Sequence, residues 1–157
     1  MQASSLFYII IAILIVSFIV DKMINILNEG YFDKKIPEKL KDMYNHDTYE
    51  KSQAYKKTSA KFSNISSLIS MILTVTFFLI DGFAYLDRFA RSFSEHPILI
   101  ALIFFGIIVS VSEIITTPLS YYNTFVIEEK FGFNTSSKQI FWIDKVKGLL
   151  MSFVLGG

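Results

Sequence analysis

The sequence predicts an all-α membrane protein with about four transmembrane helices, the last one truncated, and a helical cytoplasmic connection. Two observations carry that prediction. Hydrophobic residues make up 52% of the 157 residues and charged residues 18%, with Phe alone occurring sixteen times. The charges are also segregated, so that long uncharged runs alternate with charged segments, the pattern of a polytopic membrane protein. Net charge is +1, which gives no electrostatic basis for nucleic-acid binding. With no cysteine, disulfides, thiolate metal sites and cysteine nucleophiles are excluded together.

The elements follow in order. Gln2 to Val20 carries no charged side chain. A span needs roughly 20 residues at ~1.5 Å rise each, so the first one extends over about residues 4–27. A secretory signal peptide is the alternative, but no Lys or Arg precedes the apolar run and no small-residue cleavage site follows it. Residues 28–61 form a polar connection that opens on the turn-like Asn28-Glu29-Gly30 and passes Pro37. From Glu38 to Lys61 the Gly- and Pro-free mixture of Lys, Glu, Tyr and Ala predicts mostly helix lying near or projecting from the membrane, with Tyr44, Tyr55 and Phe62 at headgroup level.

A second charge-free run, Phe62 to Ile80, gives a span at 62–81 closed by Asp81-Gly82. A short connection with Asp87, Arg88, Arg91, Glu95 and His96 leads to Pro97, which opens the third span, 97–118. Its sole charge up to Ile127 is Glu113, and Pro118 is expected to end or kink the helix. Glu128-Glu129-Lys130 and Gly132 then mark a loop. A fourth helix, 138–157, begins near Ser136 or Ser137 and holds Trp142 as an interfacial anchor. Its apolar run has nine residues, Leu149 to Gly157, so the sequence is expected to be a fragment or a truncated product. Nine Lys between Lys22 and Lys61, against Arg88 and Arg91 in the next connection, place the first connection in the cytoplasm and the N-terminus outside.

Each complete span carries a polar stripe at helical spacing: Ser17, Asp21, Asn25 and Asn28; Ser63, Ser67, Ser70 and Thr74, continuing to Asp81; and Gly106, Ser110, Glu113 and Thr117. Such stripes turn toward other helices or toward internal water. Close helix packing explains the small residues without any ligand. Glu113 and Asp21 are the candidate intramembrane polar residues, because a carboxylate inside a span has either a partner or a function. For Glu113, near the inner end of its span, exposure to headgroup water is the competing explanation.

The catalytic signatures are missing. Neither His46 nor His96 begins a His-Glu-x-x-His motif, and the two are predicted on opposite sides of the membrane. The sequence contains no Gly-rich phosphate loop and no Gly-x-Ser-x-Gly elbow.

One block is more specific. Pro118-Leu119-Ser120-Tyr121-Tyr122-Asn123-Thr124-Phe125-Val126-Ile127-Glu128-Glu129-Lys130-Phe131-Gly132-Phe133-Asn134, followed by Phe141-Trp142-x-Asp144-x-x-Lys147, closely resembles the CAAX prenyl protease 1 family of integral-membrane zinc metallopeptidases. The segment Tyr49-Glu50-Lys51-Ser52-x-x-Tyr55 and the closing Gly156-Gly157 resemble it too. The resemblance implies the N-terminal transmembrane domain of an enzyme with several more spans around a water-filled chamber. In the full-length enzyme zinc is held by a His-Glu-x-x-His motif and a later Glu, for hydrolysis of peptide or prenylated CAAX-protein substrates. Its ligands all fall outside this block. The expectation is therefore that this chain binds no zinc and is inactive alone, acting as chamber wall and scaffold for a missing C-terminal protease half.

Within the block, Glu128, Glu129 and Lys130 form a charged cluster and Gly132 permits a tight aromatic turn. Asn134 or Thr135 is expected to cap the next helix, and Asp144 and Lys147 to pair on it. The loop either lines the substrate entrance or is a brace without substrate contact. Two other functions remain open: a non-catalytic membrane scaffold or interaction protein, and a small transporter subunit using Glu113 and Asp21.

Overall fold

The computed structural model describes residues 3–30 and 45–156, which form helices joined by turns and short irregular segments. The expectations for Pro37, for Tyr44 and for the segment from Glu38 to Tyr44 lie outside the described residues, as does Gly157. Five helices follow one another: α1 (Ala3–Glu29), α2 (His46–Leu79), α3 (Gly82–Arg91), α4 (Pro97–Tyr122), extended by a π-helical turn (Asn123–Glu128), and α5 (Lys138–Gly156). They divide into two compact units, residues 1–78 and 79–157.

Among the described residues, three helical stretches are long and apolar enough to cross a membrane: Ser5–Glu29, Asp47–Leu79 and Pro97–Glu128. Their apolar side chains are displayed outward. Ile13 is 59% exposed and Ile114 71%. In water such a surface would be an aggregation liability; in hydrocarbon it is the solvent-matched face. α5 is not among the three. Its first ten residues carry Lys138, Asp144, Lys145 and Lys147, and its apolar run begins only at Leu149.

In the first unit α1 and α2 run antiparallel. Phe7 lies 6.4 Å from Phe78 between ring centroids at one end, and Lys22 and Glu29 meet Asn64 near the other. At 34 residues α2 is ~50 Å long, more than the ~30 Å hydrocarbon core needs, so its polar first turns project beyond the bilayer.

The second unit departs from the sequence expectation in four places. The connection after Asp81 contains a further helix, α3. Asp81 turns the chain in the left-handed region (φ 55°), and α3 packs on α4 through Gly82, Ala90 and the Phe83–Phe104 pair, 6.4 Å apart. Its Asp87, Arg88 and Arg91 stay toward water, so an amphipathic stripe pays for a ten-residue helix.

Second, α4 does not end at Pro118. It runs on, and the helical path continues through Glu129 and Lys130. Proline removes one N–H, and the backbone downstream widens into the π turn. Third, Glu128, Glu129 and Lys130 are consequently helical rather than loop, and the loop begins at Phe131. Fourth, the side chain that caps α5 is neither Asn134 nor Thr135. Ser137 Oγ accepts a hydrogen bond from the Ile140 N–H (3.2 Å), two residues before which the helix starts.

Candidate functional site

The block singled out in the sequence folds as a hairpin joining α4 to α5. Its turn is a Schellman motif. The Phe133 N–H donates to the Glu128 carbonyl (2.9 Å) and the Gly132 N–H to the Glu129 carbonyl (3.0 Å). Gly132 sits at φ 67°, where a side chain is strained. Phe131 is buried under the turn. Asn134 ties the two sides together: its Nδ2 donates to Glu129 Oε2 (2.6 Å), and its Oδ1 accepts from the Ser136 N–H (2.8 Å).

The π turn explains a further contact. Residues five apart would diverge by 140° on an α-helix but share a face on a π-helix. Asn123 Nδ2 thereby donates to Glu128 Oε1 at 2.8 Å. Above the turn an aromatic cluster joins the helices. Tyr121, Phe125 and Phe141 have ring centroids 4.7–5.7 Å apart, and Trp142 packs edge-on to Phe141 at 5.6 Å.

Deeper in the hairpin, Glu113 of α4 meets Lys145 of α5. Lys145 Nζ donates to Glu113 Oε2 at 3.0 Å, and the Thr117 hydroxyl approaches the same oxygen at 3.4 Å. Both charged side chains are partly buried, at 36% and 26% exposure. A carboxylate inside a span thus has a cationic partner on the next helix. The expected pair does not form: Asp144 and Lys147 are both exposed, and among the described residues no ion pair joins them. Lys130 lies exposed over the Phe131 ring at 5.6 Å.

The first unit holds a second polar junction. Asp21 points outward, and its neighbour Lys22 turns inward. Lys22 Nζ donates to the Asn64 carbonyl (3.0 Å), to Asn64 Oδ1 (2.7 Å) and to the Ser67 hydroxyl. Asn64 Nδ2 in turn donates to Glu29 Oε1 (2.7 Å). Of the α2 stripe, Ser67 joins this network, while Ser63, Ser70 and Thr74 stay exposed. Sequence reasoning missed Lys22 and Asn64. The available signal was their position: a lysine just past the end of the first charge-free run, and an amide in the first turn of the next.

These features define a polytopic α-helical membrane domain stabilised by interhelical polar contacts. Among the described residues no three His, Cys, Asp or Glu side chains come together in a group able to hold a metal ion, so no zinc ligand set is found there. The family model for the CAAX prenyl protease N-terminal region, described as five membrane helices, matches residues 29–157. The chain belongs to this family.

CAAX prenyl protease 1 of Saccharomyces cerevisiae is 31% identical over 135 residues, covering 80% of this chain and 30% of the yeast protein. The homologue of Mus musculus is 33% identical over 125 residues, covering 75% of this chain and 26% of the mouse protein. The crystal structure of S. mikatae Ste24p matches with a TM-score of 0.87 at 30% identity, over 96% of this chain and 37% of that one. The chain thus spans about 30% of the length of these curated relatives. The match to the family model begins at the last residue of α1, leaving most of that helix outside it.

Proposed function

We propose that these residues form the N-terminal membrane domain of a zinc metalloendopeptidase that cleaves prenylated CAAX or membrane-protein substrates. In this reading α1, α2 and α4 are chamber wall and scaffold. The α4–α5 hairpin, with Glu128, Glu129, Lys130, Gly132, Asn134, Asp144 and Lys147, braces the protease region or borders the substrate entrance. Zinc and its ligands belong to a part of the protein outside these residues. The N-terminus faces away from the cytoplasm, as the lysines between Lys22 and Lys61 favour.

The observation that carries the reading is the match to S. mikatae Ste24p over 96% of the chain at 30% identity, together with the family match over residues 29–157. The test uses the full reading frame that contains these residues, expressed in membranes and purified in detergent. The expected result is about one zinc per polypeptide and chelator-sensitive release of the C-terminal tripeptide from a farnesylated CAAX peptide. A folded, zinc-loaded protein that leaves both this peptide and unprenylated membrane-protein substrates uncut would overturn it.

A further inference from the structure

The short helix α3 and the turn that closes it display three aromatic side chains. Tyr85, Phe89 and Phe93 are 70%, 47% and 64% exposed. Recurring every fourth residue, they form one edge of the helix, beside the inner face of Gly82, Leu86 and Ala90 that packs on α4. Phe89 meets Phe93 edge-on at 5.0 Å, so the edge is a continuous aromatic ridge. Two arginines lie on the remaining surface. Arg91 is paired with Asp87, whereas Arg88 has no ion-pair partner among the described residues and holds its guanidinium 5.8 Å from the centre of the Tyr85 ring.

The depth of this ridge follows from α4. α3 flanks the first two turns of α4: Ala90 and Ile100 are buried, and Phe83 meets Phe104. The stretch Pro97–Glu128 has 32 residues, ~48 Å of helix against a hydrocarbon core of ~30 Å. Glu128, Glu129 and Lys130 hold one end at a headgroup layer. About 20 residues then carry the helix across the core, which leaves the turns after Pro97 at the opposite headgroup layer. α3 stands at the same level.

The opposite edge of α3 repeats the pattern. A groove of about 330 Å³ between α3 and α4 is floored by Ala101, Phe104 and Phe105, one to two turns into α4, and rimmed by Asp87, Arg91 and Glu95. Both edges thus combine apolar surface with charge. An aqueous neighbour would leave the aromatic ridge in water, and a purely hydrocarbon neighbour would strand Arg88. The boundary between acyl chains and phosphates satisfies the rings and the guanidinium together, as it does for amphipathic helices lying in a bilayer surface.

We propose that α3 is an interfacial anchor, seated in the headgroup layer opposite the α4–α5 hairpin, with Tyr85, Phe89 and Phe93 among the upper acyl carbons and Arg88 on a lipid phosphate. The inference does not depend on proteolytic activity, so its failure leaves the enzymatic reading intact.

The test is spin-label accessibility in phospholipid vesicles. Single labels are placed through Tyr85→Cys, Arg88→Cys, Phe89→Cys and Phe93→Cys in the full reading frame that contains these residues, with any other cysteine replaced. Oxygen concentrates in the bilayer and a neutral nickel chelate in water. The ratio of oxygen to chelate collisions is expected to be several-fold higher at positions 85, 89 and 93 than at position 88. Arg88→Glu, which sets a carboxylate against the phosphates, should lower the ratio at position 89, whereas Arg88→Lys should preserve it. Circular dichroism verifies that each variant is folded. Collisions dominated by the chelate at 85, 89 and 93 would place the ridge in water and overturn the proposal. Exclusion of both reagents would mean that another part of the protein covers the ridge, and overturns it equally. An unchanged ratio in Arg88→Glu would overturn the phosphate contact.

Discussion

Replacing Lys145 by Met leaves the Glu113 carboxylate inside the α4–α5 hairpin with only the Thr117 hydroxyl, 3.4 Å away. Exposed ion pairs contribute about 0.2–1 kcal/mol, and stripping one partner from a fully buried pair costs about 3–5 kcal/mol. The Glu113–Lys145 pair is close, at 3.0 Å, but Glu113 remains 36% exposed, so the larger figure must be discounted. We expect Lys145→Met to cost about 2 kcal/mol and Glu113→Gln about 1 kcal/mol. The double variant should cost little more than Glu113→Gln alone, because no orphaned charge remains; the coupling is then about 1–2 kcal/mol. SDS-titrated unfolding in mixed micelles measures it. Trp142, the single tryptophan, lies on α5 with its ring 6.5 Å from that of Tyr121 on α4 and reports the separation of the two helices by fluorescence. If the two single effects sum to the double within about 0.3–0.5 kcal/mol, the pair does not join the helices and the reasoning fails.

Gly106 gives a second test of the same interface, since a Cβ there would stand 3.0 Å from the Phe153 ring. Gly148 has open space instead. Gly106→Val should destabilise by about 1–3 kcal/mol in the unfolding assay, with Gly148→Val milder by at least half. Gly132, at φ 67°, should lose about 1 kcal/mol as Ala and tolerate Asn better, read as a fall in midpoint SDS concentration. On α3 the Arg91 guanidinium, hydrogen-bonded to Asp87 at 2.8 Å, holds that carboxyl below the usual aspartate range. Because the folded value is the depressed one, any stability the pair adds is present above the ordinary aspartate value and is lost as pH falls through the lowered one. Carboxyl NMR should show Asp87 titrating low and returning toward the usual range in Arg91→Ala.

The membrane helices were legible because their signal is one-dimensional. A run such as Phe62 to Ile80, without charge and of bilayer length, has few other uses. α3 was hidden by its brevity and by its charges, although Phe83, Leu86 and Ala90 recur at helical spacing. Of the two outcomes expected at Pro118, an end or a kink, the end does not occur, for a physical reason. Proline removes a single hydrogen bond, and a helix packed on its neighbours can continue past it, as α4 does through Tyr122.

In the hairpin, Gly132 was readable as a turn glycine, since a left-handed residue after a helix end is a local requirement. The ion pair was not. Spacing rules identify neighbours within one helix, which favoured Asp144 with Lys147, but the partner of Glu113 lies 32 residues away on another helix. Lys22 was overlooked for a related reason: a lysine at a membrane boundary is expected to reach for water, and here its long stem carries the ammonium inward to Asn64 and Ser67 instead.

Sided labelling of single cysteines in sealed vesicles tests the central claim, that the apolar helices α2 and α4 each cross a bilayer. Lys56→Cys precedes the apolar part of α2, Arg91→Cys lies between the two helices, and Lys130→Cys follows α4. An impermeant maleimide should reach positions 56 and 130 from one face and position 91 from the other. Labelling of all three from the same face would contradict the membrane architecture on which the family assignment is interpreted.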